Sequence, residues 1–166
     1  IGVLATAGTL KASKYLKAKG KYKDDVKIVE QVGEGFVELV EEGVLDGPKA
    51  VKVVEAGLRP LLDAGADIVV LGCTHYPFLI KPISRIAGPG VRIIDPAPAV
   101  ARQTVHVLGK EKLLSEDEVA QALSRESLPS LFTPDDVYDR VRLLSSGGME
   151  PLVRIFDLLI SRNDHR

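Results

Sequence analysis

The chain of 166 residues has very little cysteine: Cys73 is its only one. A single thiol cannot form an internal disulfide, which excludes a cystine-stabilised scaffold and fits a reducing cytoplasm. The apolar runs are shorter than the ~20 residues of a membrane span, and no signal peptide is visible. A formal net charge of -1 gives no electrostatic reason to bind nucleic acid or an acidic membrane. We therefore expect a soluble, cytoplasmic protein without nucleic-acid or membrane partners.

Signatures of metal and nucleotide sites are also missing. The histidines, His75, His106 and His165, are far apart in sequence and lack the spacing of metal-ligand pairs with the one cysteine. The segment Gly33-Glu34-Gly35 lacks the third glycine of a dinucleotide-binding loop. A phosphate-binding loop and the nucleophile elbow of serine hydrolases are absent as well. The sequence thus predicts no metal site and no nucleotide cofactor.

What the sequence does contain is a regular alternation of strand and helix patterns. Short apolar, β-branched runs predict four strands, over residues 1–5, 26–32, 66–71 and 91–95. Amphipathic segments predict helices over residues 10–19, 36–40, 48–64, 78–86 and 99–108, with Pro60 expected to kink the third. Such alternation predicts an α/β fold, with a parallel sheet flanked by helices on both faces.

The pattern changes after Gly109. Ser115 and Glu118 have the spacing of a capping box, which predicts a helix over residues 115–124. A short strand is predicted over 131–133, and helices over 135–144 and 151–160, separated by a flexible Ser-Ser-Gly-Gly stretch. We therefore expect a helical C-terminal tail.

Cys73 lies at the most informative position of the chain. It follows the predicted strand 66–71, Gly72 allows a sharp turn, and Pro77 suits the first turn of a helix. The carboxyl ends of parallel strands are where open α/β sheets bind ligands, and a nearby helix N-terminus favours a thiolate. The alternative is a small buried hydrophobic residue without chemistry.

Other polar residues allow a structural and a functional interpretation. Thr6 and Thr9 follow the first strand, where hydroxyls could hold a carboxylate, although helix capping is the simpler role for Thr9. His75 is either an acid/base group near the thiol or a structural histidine. Glu41 is either a partner of that histidine or an exposed helix carboxylate.

Four segments together resemble the glutamate racemase family, in the same order and at similar spacing: residues 2–10, 35–41, 71–79 and 94–101. The run Gly72-Cys73-Thr74-His75-Tyr76-Pro77 is the most specific of them. The resemblance covers about residues 1–108. It implies a racemase that moves the α-proton of glutamate with two cysteines on opposite faces, without cofactor or metal.

The resemblance also implies roles for individual residues. Cys73 would be the second catalytic cysteine, and Thr74 would bind a substrate carboxylate. His75 would assist the thiol and contact the substrate, and Glu41 would support the site through His75. One or both of Thr6 and Thr9 would bind the substrate.

The family's enzyme has two pseudo-symmetric α/β halves, and the motifs of the first half do not occur in this sequence. Residues 1–98 are thus expected to form the second half, and residues 99–166 a tail that packs on the missing first half. The chain opens within a predicted strand, so we expect a fragment that is inactive alone. Its full-length parent would supply D-glutamate for peptidoglycan, as a homodimer if it follows the family.

Two other interpretations remain open at this point. A related racemase or isomerase acting on aspartate or another amino acid would keep the fold but alter the residues after the cysteine. A binding module without catalysis would keep the fold and make no use of the thiol.

Overall fold

The computed structural model describes the backbone of residues 1–124 and 142–161. It describes the side chains of the same residues up to residue 158. The chain divides into two compact units, Ile1–Ala99 and Val100–Arg166. The strand predicted over 131–133 lies outside the described residues. Of the helix predicted over 135–144, only 142–144 are described, and these three are not helical.

The first unit is built on a parallel sheet of four strands in the order β2-β1-β3-β4. This confirms the α/β prediction. The strands are β1 (Gly2–Ala5), β2 (Val29–Val32), β3 (Ile68–Gly72) and β4 (Arg92–Ile94). The helices of this part of the chain are α1 (Ala7–Lys11), α2 (Ser13–Tyr22), α3 (Phe36–Glu41), α4 (Pro48–Asp63), a 3₁₀ helix (Tyr76–Leu79) and α5 (Ile80–Ala87).

One face of the sheet forms the core with α4. Leu4, Val69 and Leu71 point to this face and are fully buried. The buried positions of α4 recur at helical spacing, so the helix presents a continuous apolar stripe: Ala50, Val54, Gly57, Leu58 and Leu61. The helix continues through Pro60 to Asp63, and Pro60 itself is exposed.

The helix predicted over 10–19 is wrong, because two helices take its place. Ala12 is extended (φ −69°, ψ 134°) and separates α1 from α2. Its amide donates to the Thr9 carbonyl, and its own carbonyl accepts from Leu16, so both helix ends are satisfied there. Helix α2 is tied to β2 by Glu30, which accepts from the Tyr15 hydroxyl at 2.5 Å and lies 2.8 Å from Lys19 Nζ.

The ends of other elements also differ from the predictions. Strand β2 begins at Val29 rather than 26, because its first ladder bond is to the carbonyl of Ile1 and the preceding residues turn back on Tyr22. The helix predicted from 78 is a 3₁₀ turn before α5 begins at Ile80. Strand β4 ends before Asp95, whose carboxylate accepts from the amide of Ala97 at 2.8 Å.

The remaining described helices are α6 (Ala97–Lys110), α7 (Glu116–Leu123) and α8 (Met149–Ser161). The capping box of α7 is confirmed, with both the Ser115 and the Glu118 bonds in place. Helix α8 confirms the prediction over 151–160 and begins two residues earlier. None of the helices in the described ranges is long and apolar enough to cross a membrane. Several large apolar side chains are exposed in this part of the chain: Val100, Val107, Leu113, Leu144, Met149 and Val153.

Candidate active site

The candidate site lies at the carboxyl edge of the sheet. The residues that directly follow the four strands are Thr6, Gly33, Cys73 and Asp95. From β1 the chain first adds β2 on one side and later places β3 on the other side. The strand order therefore reverses between β1 and β3, and the crevice outside such a reversal is where open α/β sheets bind ligands.

Cys73 and Thr6 leave the sheet side by side at this reversal. The register pairs Ala5 with Gly72, so the next residue of each strand is Thr6 or Cys73. Neighbouring strands are about 4.8 Å apart. The confirmed strand β3 thus places the thiol at the predicted strand end, and its half-buried side chain is accessible from this edge.

Cys73, His75 and Glu41 form a line of three side chains. Cys73 Sγ is 3.9 Å from His75 Nδ1, and His75 Nε2 is 2.7 Å from Glu41 Oε1. A carboxylate can only accept a hydrogen bond, so Nε2 carries the proton and Nδ1 faces the thiol. A neutral imidazole can then accept the thiol proton at Nδ1, and an imidazolium can return it.

This line contributes little to the stability of the fold. The side chains of His75 and Glu41 are 31% and 60% exposed. Ion pairs at such exposure contribute at most about 1 kcal/mol. The contact between His75 and Glu41 is therefore an exposed pair that adds little to the free energy of unfolding.

Thr6 and Thr9 lie together, with their hydroxyl oxygens 2.9 Å apart. Thr6 caps α1 by accepting from the amide of Thr9 at 3.3 Å. The cap expected at Thr9 is therefore wrong, and the role belongs to Thr6. Thr74 follows the thiol directly and is exposed.

The sequence predicted Gly33 only as the residue that ends β2 and gave no role of its own to Tyr76, yet the two residues are bonded to each other. Tyr76 is fully buried, and its hydroxyl donates to the Gly33 carbonyl at 3.2 Å. Burial, followed by the charge of Cys73, raises the pKa of Tyr76 to about 12, so the hydroxyl remains protonated. The signal in the sequence was weak: one aromatic residue after His75, and one glycine at the end of β2.

The fold and this line define an α/β protein with a thiol and an imidazole at the strand-order reversal. The family model described as Asp/Glu/Hydantoin racemase matches residues 1–104. The chain therefore belongs to the Asp/Glu/hydantoin racemase family.

Among sequence relatives, the glutamate racemase of Herpetosiphon aurantiacus is 44% identical over 115 residues, which is 69% of this chain and 45% of the relative. Francisella tularensis glutamate racemase, solved in complex with D-glutamate, aligns with a TM-score of 0.61 at 29% identity over 69% of this chain and 43% of that one. The Escherichia coli glutamate racemase structure, solved with L-glutamate and the activator UDP-MurNAc-ala, aligns with a TM-score of 0.57 at 32% identity. The alignment covers 65% of this chain and 41% of that one. The chain thus spans less than half the length of these relatives.

Proposed function

We propose that the chain supplies one half of a cofactor-independent glutamate racemase, with Cys73 as one of its two acid/base groups. The observation that carries the proposal is the line from Cys73 through His75 to Glu41 at the strand-order reversal. The related structures from Francisella tularensis and Escherichia coli hold D- and L-glutamate, which supports glutamate as the substrate.

The chemistry requires one proton to leave the α-carbon and another to arrive on its opposite face. The Cys73 thiolate takes the α-proton: the C–H bond breaks, an S–H bond forms, and the electron pair passes into the adjacent carboxylate. A second thiol on the other face then protonates the carbon. Each turnover ends with the two thiols in exchanged protonation states, so no external proton acceptor is consumed. A thiol suits this task because its pKa can be tuned towards neutrality.

Within this proposal His75 sets the protonation of Cys73, and Glu41 orients the imidazole. Thr74 would hold a substrate carboxylate with its hydroxyl and neighbouring amides. The Thr6 and Thr9 hydroxyls would do the same from the end of β1. Their support is the register that brings Thr6 beside Cys73, and the hydroxyl pair at 2.9 Å.

The second thiol would come from a complementary first half. Cys73 is the only cysteine of the sequence, and the chain spans 41–45% of the relatives described above. We further propose that the helical tail, from residue 99 onwards, packs on that half, since its exposed apolar residues would then be covered. The assembled enzyme would supply D-glutamate for peptidoglycan in the cytoplasm.

The test is α-proton exchange in D₂O, followed by NMR with D- and L-glutamate separately. The chain is measured alone and together with the first half of a homologous glutamate racemase, after size-exclusion chromatography has confirmed assembly. We expect exchange only in the assembled sample, and its loss in Cys73→Ala. Exchange of aspartate in preference to glutamate would instead identify a related racemase. No exchange with any amino acid in a confirmed assembly would overturn the proposal.

A further inference from the structure

Tyr76 connects the turn that contains the thiol to the end of strand β2, which lies on the far side of β1. The Tyr76 amide donates to the Cys73 carbonyl at 3.2 Å, so the two residues close one tight turn with His75 inside it. From the same residue, the hydroxyl reaches the Gly33 carbonyl at 3.2 Å. Gly33 in turn donates its amide to the Ala5 carbonyl, at the end of β1. The Tyr76 side chain therefore links the turn to the end of β2, which is itself bonded to the end of β1.

Gly33 and Phe36 both contact Tyr76. A Cβ on Gly33 would lie 2.6 Å from the Tyr76 hydroxyl oxygen, so the hydroxyl fits only because residue 33 has no side chain. The ring packs on Phe36, with centroids 4.9 Å apart and planes tilted by 56°. Phe36 is the first residue of α3, and Glu41 is its last. Tyr76 thus contacts the helix that supplies the carboxylate as well as the turn that supplies the thiol.

We propose that Tyr76 is a positioning residue: its hydroxyl bond to Gly33 holds the turn so that the Cys73 thiol stays within reach of the His75 imidazole. The inference rests on the proposed acid/base function of this thiol. The contact between Sγ and Nδ1 is already long at 3.9 Å, so a small displacement would break it. Misplacement of a reacting group by about 1 Å can cost about 100-fold in rate.

Tyr76 can do this at neutral and moderately alkaline pH. Its raised pKa keeps the hydroxyl protonated, and therefore a donor to Gly33. Among the described residues, other titratable groups lie on the turn or on the segment that packs against it: Cys73, His75, Glu34, Glu38 and Glu41. The ends of β1 and β2 present Thr6 and Gly33, which do not titrate.

The test uses the single cysteine as its own reporter. Iodoacetamide alkylation of Cys73 in the intact chain is followed by mass spectrometry from about pH 5 to about pH 10, where thiols and imidazoles titrate. The variants are Tyr76→Phe, His75→Ala and Tyr15→Phe. Tyr15→Phe is the matched control, because it also removes a tyrosine hydroxyl that donates a hydrogen bond, in this case to the Glu30 carboxylate. A change in the accessibility of Cys73 changes the alkylation rate by the same factor at every pH. Loss of the contact between Cys73 and His75 instead moves the curve of rate against pH along the pH axis.

We expect His75→Ala to slow alkylation near neutral pH by about tenfold and to move the curve to higher pH, since a nearby imidazolium favours the thiolate. Tyr76→Phe should move the curve in the same direction, and Tyr15→Phe should leave it in place. A Tyr76→Phe curve that coincides with that of Tyr15→Phe overturns the inference alone. A His75→Ala curve that coincides with wild type overturns the proposed function as well.

Folding is checked by circular dichroism, and the Tyr76→Phe measurement is repeated with Gly20→Ala, which stabilises α2 away from the site. If Tyr76→Phe fails to fold in both backgrounds, the hydroxyl serves the fold itself and the positioning role is overturned.

Discussion

Ala5 and Gly72 lie opposite each other in the central β1–β3 pair, and a Cβ on Gly72 would lie 2.9 Å from the Ala5 Cβ. The residues after them are Thr6 and Cys73. The close fit of two small residues thus sets how near the two sides of the candidate site approach each other.

Replacing Gly72 with alanine should force β1 and β3 apart at their carboxyl ends. We expect Gly72→Ala to lower the free energy of unfolding by about 1–3 kcal/mol, as overpacking does. Urea denaturation measures it. The control is Gly20→Ala in α2, where a new Cβ meets nothing within 4 Å and should stabilise the helix by about 0.5–1 kcal/mol. Equal effects of the two substitutions would contradict the close packing at Gly72.

Glu41→Gln should impair proton transfer without weakening the fold. The amide can still hydrogen-bond His75, but it lacks the charge that stabilises an imidazolium. We expect the rate of α-proton exchange of glutamate in the assembled enzyme to fall about 10–100-fold, as is typical when a functional histidine loses the carboxylate that orients it. The free energy of unfolding should change by less than about 1 kcal/mol.

Glu42→Gln is the matched control, since Glu42 adjoins Glu41 but pairs with Lys49 instead. It should leave exchange at the wild-type rate. If Glu41→Gln and Glu42→Gln slowed exchange equally, the cause would be the loss of a negative charge on this helix and not the loss of the contact with His75.

The buried hydroxyl of Tyr76 predicts a loss of stability at alkaline pH. Because burial and the charge of Cys73 raise its pKa from 10.0 to about 12 in the folded state, the unfolded chain loses this proton first. The stabilisation is complete below pH 10 and is lost as the pH rises towards about 12, at up to about 1.4 kcal/mol per pH unit. Denaturation series at several alkaline pH values should therefore show a steeper decline for wild type than for Tyr76→Phe. Parallel declines would show that the phenol ionises equally in both states.

Glu30 predicts the opposite behaviour in acid. The hydrogen bond from Lys19, and then that from Tyr15, lower the pKa of Glu30 below its ordinary value of 4.5. Its contribution to the free energy of unfolding is therefore fully present above pH 4.5 and is lost as the pH falls through the folded-state pKa. Glu30→Gln should cost about 1–2 kcal/mol at neutral pH and progressively less in acid.

Thermal unfolding of wild type and Glu30→Gln across the acid range measures this difference. Glu55→Gln is the control and should cost less than about 0.5 kcal/mol, because Glu55 lies in an exposed pair with Arg59 on α4. A difference between wild type and Glu30→Gln that stays constant in acid would exclude the Glu30 carboxylate as its source.

The sequence pattern predicted those helices and strands that are determined by residues close together along the chain. The β-branched runs gave the four strands, the spacing of apolar residues gave α4, and Ser115 with Glu118 gave the start of α7. The break at Ala12 was missed because the apolar residues of segment 10–19, Leu10, Ala12 and Leu16, were interpreted as the stripe of a single helix. It arises from a cap at Thr6 and an extended residue that the stripe does not reveal. The start of β2 was missed because it is set by pairing with β1, whose first partner is the carbonyl of Ile1, while its predicted end at Val32 is confirmed.

The candidate site shows the same limit. Cys73 could be placed from its own neighbours in sequence, since a strand, a glycine and a proline surround it. The bond between Tyr76 and Gly33 joins residues 43 positions apart and depends on a steric fit between two elements. No local pattern in the sequence encodes such a fit.

The strand order also bears on how the chain folds. β1 lies between β2 and β3, and its partner Val69 follows Gly2 by about 67 residues, a separation typical of slow, non-local pairing. During synthesis β1 emerges before β3, so one of its edges stays open until β3 has left the ribosome. Chains that stop before residue 68 would present this edge to one another and should aggregate.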